Sequence, residues 1–425
     1  MAITTDPADH QETAPPATPL RALGAFERLY YRYTEHNPMH FLLVAEFGTT
    51  LREEDVAASL AAVQRRHPLL SAHVEDRADT RLAFCRAHDA APVELTVTRA
   101  DRRTWQQTAA RELSRPFDRS RAPLMRAALV LDASGSTVLL TFDHTVADGM
   151  SSVAVLNDLV AALNGRPLEP LPLPPSQEEM IARALPPIED FPVTEPPAAD
   201  PRMSALGSIR PFDPATPPHV ATCELDRTET SRLVRRCRAE GTTVHAALVT
   251  AASLARAEGS GEDFVRVVTP FNFRGLIGAG GDCCDYFTAT RTGMAPGEIP
   301  GFWEQARAVG GELAGARSAA GVVAVSAATR QYIPVDAGTQ EAEQFLVGGL
   351  AYEMLISNLG VRDLEDSGPV RPDALWGPVL MCQVAGEFVI GVTTYEGRLR
   401  MVGCGHAPTE TFLADVRDRL RAACA

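Results

Sequence analysis

A proline-rich stretch near the middle of the 425-residue chain restricts its fold more than any other feature. Between Pro167 and Pro218, 52 residues contain 15 of the chain's 32 prolines. Proline lacks a backbone N–H donor and is therefore disfavoured inside helices and central strands. We predict a linker over residues 167–218, which separates an N-terminal half over residues 20–166 from a C-terminal half over residues 219–425. Each half is long enough to bury its own core.

Both halves mix strand and helix patterns. In the first, residues 41–47 form an apolar, β-prone run, and residues 53–66 place apolar side chains at helical spacing. Residues 138–142 predict another strand, followed by a loop and a helix that Ser151 is expected to cap. In the second half, a similar series of strands and helices ends in a helix over residues 409–423. The sequence predicts a mixed α/β fold, and the junction of its two halves makes a cleft of the kind that small-molecule sites prefer.

The charge composition excludes several classes of function. The formal net charge is −14, and all forty basic residues are arginine, so the chain contains no lysine. Without lysine there is no Schiff base to a carbonyl or to pyridoxal phosphate, no phosphate-loop lysine and no kinase lysine. An acidic surface without a basic run repels phosphate backbones, which argues against nucleic-acid binding. Serine-hydrolase and zincin chemistry lack their GxSxG and HExxH motifs.

The N-terminal residues, the cysteines and the apolar stretches indicate the cellular location of such a chain. Residues 1–19 contain almost nothing to bury, and we expect them to form a disordered arm. The eight cysteines are spread without a CxxC pair, which is typical of reduced thiols in a cytoplasmic protein and gives no sign of a metal site. No apolar stretch approaches the roughly 20 residues of a membrane span. We therefore expect a cytoplasmic protein without a membrane span and, because the two halves already share a cleft, a monomer.

One segment carries residues suited to chemistry. Residues 141–150, TFDHTVADGM, lie between the predicted strand and helix, where functional groups are held by rigid supports. They contain an HxxxDG pattern formed by His144, Asp148 and Gly149. The histidine can carry a proton near neutral pH, the aspartate can fix the loop, and the glycine leaves room for a turn or a ligand. The residues alone are equally compatible with a strand-end histidine followed by an Asp-Gly turn.

Four further segments accompany this pattern, and their order matches that of a known family. They lie at residues 66–70, 242–247, 269–274 and 356–360. Together with HxxxDG they resemble the condensation-domain and acyltransferase superfamily with the chloramphenicol-acetyltransferase fold. Within that superfamily, the chain is most similar to the stand-alone polyketide-associated acyltransferases of actinobacteria, from about Leu20 to the C-terminus.

The resemblance implies two chloramphenicol-acetyltransferase-like half-domains that form a V, with the active site at their interface. Family members transfer an acyl group from a thioester of coenzyme A, or of a carrier protein's phosphopantetheine arm, to an alcohol or amine. No metal, permanently bound cofactor or covalent intermediate takes part. The expected partners are therefore an acyl thioester, an alcohol acceptor and, as an option, an acyl carrier protein.

The resemblance also assigns roles to the residues of the HxxxDG loop. His144 matches the histidine that removes the proton of the acceptor. Asp148 matches a structural aspartate that pairs with an arginine of the second half, here Arg274. Gly149 belongs to the same supporting loop. Removal of one partner of this ion pair would leave a buried charge uncompensated.

Two more positions match a motif near the reaction chamber. Asn358, and less strongly Ser357, would position the acceptor or the tetrahedral oxyanion. Turn chemistry at a strand end explains both residues equally well.

One position departs from the family pattern. Condensation domains usually have a histidine directly before the catalytic histidine, whereas this chain has Asp143. Neighbouring side chains on an extended strand point to opposite faces, so Asp143 is expected to support the loop. The change favours ester over amide formation, and the sequence predicts an O-acyltransferase of natural-product or lipid biosynthesis. Two alternatives stay open: a non-catalytic or differently catalytic relative that binds a carrier protein or polyketide substrate, and a thioester hydrolase.

Overall fold

The structure is a computed structural model, which describes residues 18–79, 81–87, 90–101, 104–192, 200–348 and 351–425. The predicted arm over residues 1–19 lies outside the described residues except for Thr18 and Pro19. These two residues form the beginning of the first strand, so the first strand starts before the predicted end of the arm.

The described residues contain fourteen strands and twelve helices. The strands are β1 (Thr18–Ala22), β2 (His40–Phe47), β3 (Ala72–Arg77), β4 (Arg81–Arg86), β5 (Glu94–Arg99), β6 (Met125–Asp132), β7 (Gly135–Asp143), β8 (His219–Leu225), β9 (Val265–Asn272), β10 (Phe287–Met294), β11 (Met354–Arg362), β12 (Ala374–Leu380), β13 (Phe388–Tyr395) and β14 (Arg398–Gly405). The helices are α1 (Ala25–Thr34), α2 (Glu53–Arg66), α3 (Trp105–Leu113), α4 (Gly149–Leu163), α5 (Gln177–Ala184), α6 (Arg227–Ala239), α7 (Val244–Ser260), α8 (Arg274–Ile277), α9 (Phe302–Ala316), α10 (Ala319–Tyr332), α11 (Thr339–Glu343) and α12 (Glu410–Ala423). None of these helices has the length and apolar character that a membrane crossing requires.

The described strands form three sheets. A five-stranded sheet has the order β12-β2-β7-β6-β5, a six-stranded sheet has the order β10-β9-β11-β13-β14-β8, and a small sheet joins β1, β4 and β3. The larger of two hydrophobic cores includes buried residues of both halves, and the smaller lies between the six-stranded sheet and α6, α7, α9 and α12. The predicted mixed α/β fold of two halves is confirmed.

Strand β12 crosses from the C-terminal half to the N-terminal sheet. Its Trp376 lies opposite Val44 of β2 in an antiparallel pairing. Because β2 pairs with β7 along its other side, β12 covers an edge that would otherwise expose unpaired backbone groups. The predicted boundary at residue 219 therefore does not separate the two sheets, since residues 374–380 belong to the N-terminal one. A strand joins a sheet by pairing with another strand that is distant in the sequence, and local periodicity does not predict this partner.

The predicted linker over residues 167–218 packs against both halves where the structure describes it. Helix α5 occupies the longest stretch of this segment that lacks proline. Glu178 of α5 accepts a hydrogen bond from the Phe26 N–H of α1 at 2.9 Å. The Tyr286 hydroxyl, from the second half, donates to the Pro175 carbonyl at 2.8 Å. The linker is thus held by contacts on either side of the junction.

Local periodicity predicted several elements closely. Helix α2 has the predicted limits, and β2 and α12 each differ by one residue. The predicted cap of α4 is wrong. The helix begins after Asp148, which has the extended backbone conformation of an N-cap and accepts the Ser151 N–H at 2.7 Å. Both residues are suited to capping, and the first of them takes the position.

Candidate active site

His144 is the first residue after β7, in the loop that leads to α4. All nine residues of β7 are buried, because the strand lies inside its sheet between β2 and β6. The end of the strand is therefore held rigidly. The Val146 N–H donates to the Asp143 carbonyl at 3.2 Å, and the Thr145 N–H donates to the Asp143 carboxylate at 2.9 Å. Asp143 therefore contacts the loop through both its carbonyl and its carboxylate, and its supporting role stays a prediction.

Aromatic rings from both halves enclose the imidazole of His144. It stacks on Tyr30 of α1, with centroids 4.6 Å apart and an interplanar angle of 23°. Phe41 of β2 and Phe287 of β10 lie at centroid distances of 5.0 and 5.1 Å. Only 7% of the residue's surface is exposed. These contacts fix the plane of the ring and shield most of it from water.

The exposed part of His144 opens onto a cavity of about 930 Å³, a volume that includes solvent at its mouth. Asp148, Gly149, Ser357 and Asn358 line the same cavity, so the structure brings these predicted residues together. Much of the remaining wall is apolar and includes Met39, Val268, Ala289, Leu346, Leu355 and Leu380. Because Nδ1 of the histidine is fully buried, Nε2 is the ring nitrogen that a ligand in the cavity can reach.

The Asp148 carboxylate joins the HxxxDG loop to the second half. Its Oδ2 lies 2.6 Å from Arg274 Nη1 and accepts the Tyr286 N–H at 2.9 Å. Burial disfavours the carboxylate charge, but the Arg274 charge and the hydrogen bonds outweigh it and hold the pKa of Asp148 below its usual value. Arg274 is buried and does not line the cavity. The two side chains therefore meet as the resemblance implies, and their supporting role stays a prediction.

Gly149, the first residue of α4, packs closely against β11. A Cβ at Gly149 would lie 2.7 Å from Leu359 Cδ2, closer than van der Waals contact permits. This approach brings the loop to the strand that carries Ser357 and Asn358. Asn358 Oδ1 accepts the Gly360 N–H at 2.8 Å, which is the turn chemistry considered above. Its Nδ2 has no partner among the described residues, so the amide N–H donors stay available to a ligand.

Asp285 is the site residue that the sequence analysis missed. It lies between α8 and β10, and its buried Oδ1 is 3.6 Å from His144 Nδ1. Burial raises the pKa of Asp285 to about 7, although His144 opposes this change. Burial also disfavours the imidazolium, but the nearby Asp285 carboxylate outweighs it, so the pKa of His144 is raised. No local pattern marks this aspartate, because it meets the HxxxDG loop only in the folded chain.

The adjacent cysteines are packing groups rather than nucleophiles. Cys283 and Cys284 are buried, and burial raises the pKa of each thiol above its usual value. Both therefore stay protonated and unreactive. Across the part of the chain that the structure describes, no group of three or more His, Cys, Asp and Glu side chains is placed to hold a metal ion.

The two α/β halves and the HxxxDG loop that faces the cavity agree with the resemblance predicted from the sequence. Residues 29–182 match the family model of the condensation domain. Plipastatin synthase subunits A and C from Bacillus subtilis (strain 168) are 29% and 30% identical to this chain over 166 residues. Each alignment covers 39% of this chain but only 6% of the synthase subunit.

Solved structures extend the likeness to the whole chain. Polyketide synthase associated protein 5 from Mycobacterium tuberculosis has a TM-score of 0.68 at 16% identity, covering 97% of this chain and 99% of that chain. The first condensation domain of the CDA synthetase has a TM-score of 0.65 at 15% identity, and the match covers 95% of this chain and 96% of that chain. At identities this low, the structural similarity shows a shared fold. The predicted resemblance is confirmed: the chain has the condensation-domain fold, with two chloramphenicol-acetyltransferase-like halves in a V.

Proposed function

We propose that the protein is an O-acyltransferase of natural-product or lipid biosynthesis. It would move an acyl group from a phosphopantetheine thioester, of coenzyme A or of a carrier protein, to an alcohol. The observation that carries the proposal is the placement of His144, whose ring is packed on its Nδ1 side and opens through Nε2 onto a largely apolar cavity. The match to condensation domains supports acyl transfer as the reaction.

A hydroxyl acceptor needs a base of this kind most. The hydroxyl must lose its proton as it attacks the thioester carbonyl, and His144 Nε2 takes that proton as general base. The imidazolium then protonates the leaving sulfur, so that thioester and alcohol give ester and thiol. An amine acceptor attacks with a free lone pair and loses its proton later, so amide formation depends less on the base than ester formation does.

The walls of the cavity suit an acyl chain. Ala289 of β10 follows Phe287 on the same face of the strand, about 7 Å farther along. Phe287 contacts the His144 ring, and Ala289 lines the same cavity, so we propose that the acyl chain passes Ala289. The apolar wall on this side is suited to a hydrocarbon chain.

Replacement of Ala289 by phenylalanine is expected to select for short acyl chains. A ring at this position narrows the cavity, so kcat/KM for long-chain thioesters should fall at least about tenfold relative to acetyl thioester. The measurement is a chain-length series of acyl-coenzyme A donors. Thr290→Leu, on the opposite face of the same strand, is the control and should leave the ratio unchanged. An unchanged ratio in Ala289→Phe would show that the acyl chain does not pass β10.

Asn358 is proposed to donate its free amide N–H to the oxyanion of the tetrahedral intermediate. Because the residue is half-buried, we expect Asn358→Ala to lower kcat by about tenfold or more, with a smaller change in KM. Steady-state kinetics of the purified variant provide the measurement. Ser357→Ala is the comparison and should have the smaller effect. A kcat for Asn358→Ala within twofold of wild type would remove this residue from the reaction.

Thiol release tests the proposed function itself. The purified protein is given acyl-coenzyme A and acyl-carrier-protein donors, with and without a panel of alcohols, and free thiol is followed over time. The proposal predicts thiol release that depends on the alcohol. Release without any acceptor would indicate a thioester hydrolase. Binding of both donors, seen as a thermal shift without release, would favour the non-catalytic alternative.

A further inference from the structure

The Asp285 carboxylate faces the buried side of the His144 ring. Its Oδ1 lies 3.6 Å from Nδ1, and the aspartate side chain has no exposed surface. Neither carboxylate oxygen accepts a hydrogen bond from any described residue. A buried carboxylate without donors is unstable unless a positive partner compensates its charge. The imidazole is the group placed to provide that partner.

The network that anchors the HxxxDG loop also fixes the backbone on either side of Asp285. The Cys284 N–H donates to Ser151 Oγ at 3.1 Å. The Tyr286 N–H donates to Asp148 Oδ2 at 2.9 Å. The loop and the carboxylate are therefore set relative to each other by the same contacts, although no hydrogen bond holds the carboxylate itself.

Two other carboxylates act on this pair, and each already has an arginine partner. Asp148, at the start of α4, lies 2.6 Å from Arg274. Glu27, on α1, lies 2.6 Å from Arg21. Their charges are largely compensated by these arginines. Asp285 is therefore the carboxylate beside the ring whose charge still needs a partner.

Two further titratable groups lie near the pair and are neutral, Tyr30 beside the ring and Cys283 near Asp285. Tyr30 stacks on the ring, and burial raises its pKa well above the usual value. The Cys283 thiol is neutral for the same reason. The charge of the ring is thus coupled chiefly to Asp285.

We infer that Asp285 is a positioning residue for His144, which keeps a proton on Nδ1 so that Nε2 is the free base, and which stabilises the imidazolium as it forms. The inference rests on the proposed function and deepens it. The acceptor oxygen bonds to the thioester carbonyl carbon as its proton moves to Nε2. The C–S bond then breaks and the same proton passes to the leaving sulfur. The Nδ1 proton stays beside Asp285 throughout.

Asp285→Asn removes the charge and keeps the size of the side chain. In protein carrying isotope-labelled histidine, the ring signal absent from His144→Ala identifies His144. Its pKa is expected to fall by about one unit or more in Asp285→Asn, because burial alone disfavours the imidazolium. Since His144 acts as a base only when neutral, the acid limb of kcat/KM should move to lower pH by the same amount. We expect kcat to fall about tenfold or more, because one pKa unit is a tenfold change in imidazolium stability.

Asp143→Asn is the matched control, because this neighbouring carboxylate accepts the Thr145 N–H instead of facing the ring. The control should leave the His144 pKa and the acid limb in place. A folded Asp285→Asn protein with an unchanged His144 pKa would overturn the inference. If the pKa falls but the wild-type protein forms no product with any donor and acceptor, the pairing stands and the proposed function fails. Asp285→Ser serves both measurements should the asparagine variant not fold.

Discussion

Replacing His144 by alanine is expected to lower the rate of acyl transfer per folded molecule about 10²- to 10⁴-fold. This is the usual contribution of a general base to a reaction of this kind. The histidine lines an existing cavity. Its truncation therefore enlarges that cavity and does not create a new one in the core. The rate is measured as acceptor-dependent thiol release, and circular dichroism and thermal melting check the fold.

A second buried histidine provides the control for this experiment. His245 lies in α7, where Nε2 is 3.0 Å from the Thr269 hydroxyl. Burial lowers the pKa of His245 to about 3, so the ring is neutral over the working pH range. His245→Ala should reduce stability but retain turnover per folded molecule. If His144→Ala kept wild-type turnover, general-base catalysis by this residue would be excluded.

Replacing Asp148 by asparagine is expected to lower the free energy of unfolding by about 3–5 kcal/mol. The change leaves the Arg274 guanidinium buried without a compensating charge, and the contact between the HxxxDG loop and the second half weakens. Because the pKa of Asp148 is held below its usual value, its stabilising contribution is present above the unfolded pKa, near 4. It is lost as the pH falls through the folded pKa. Chemical unfolding near neutral pH and in acid provides the measurement.

An exposed ion pair provides the comparison. Arg115 and Glu94 pair on the surface, with both side chains 50% exposed. Arg115→Gln should cost less than about 1 kcal/mol. The double variant Asp148→Asn with Arg274→Met should lose less stability than the sum of the single changes, because no charge is left alone. An Asp148→Asn protein as stable as the Arg115→Gln protein would show that the buried pair does not hold the halves together.

The elements closest to the site could be predicted where neighbouring residues determine them. Helix α2 begins with three acidic residues and then places Val56, Leu60 and Val63 on one buried face, so both its limits follow from charge and periodicity. Residues 138–142, just before His144, are apolar except for Thr141, and this run indicates a buried strand. The cap of α4 was predicted at Ser151, whereas Asp148, three residues earlier, occupies the N-cap position.

The rest of the site depends on contacts between distant parts of the chain. Asp148 and Arg274 are paired in the structure, and the sequence connected them only through a family resemblance. Asp285 follows two buried cysteines, and nothing nearby distinguishes it from an ordinary loop aspartate. Strand β12 likewise joins the N-terminal sheet through pairing with β2, a choice that periodicity within residues 374–380 does not encode.

Product mass spectrometry tests the central claim most directly. The wild-type protein and His144→Ala are incubated with acyl-coenzyme A and acyl-carrier-protein donors, in the presence of matched alcohol and amine acceptors. The account predicts an ester whose mass equals alcohol plus acyl group, formed by the wild type and reduced about 10²-fold or more in His144→Ala. Free acid as the sole product, or equal product from both proteins, would contradict it.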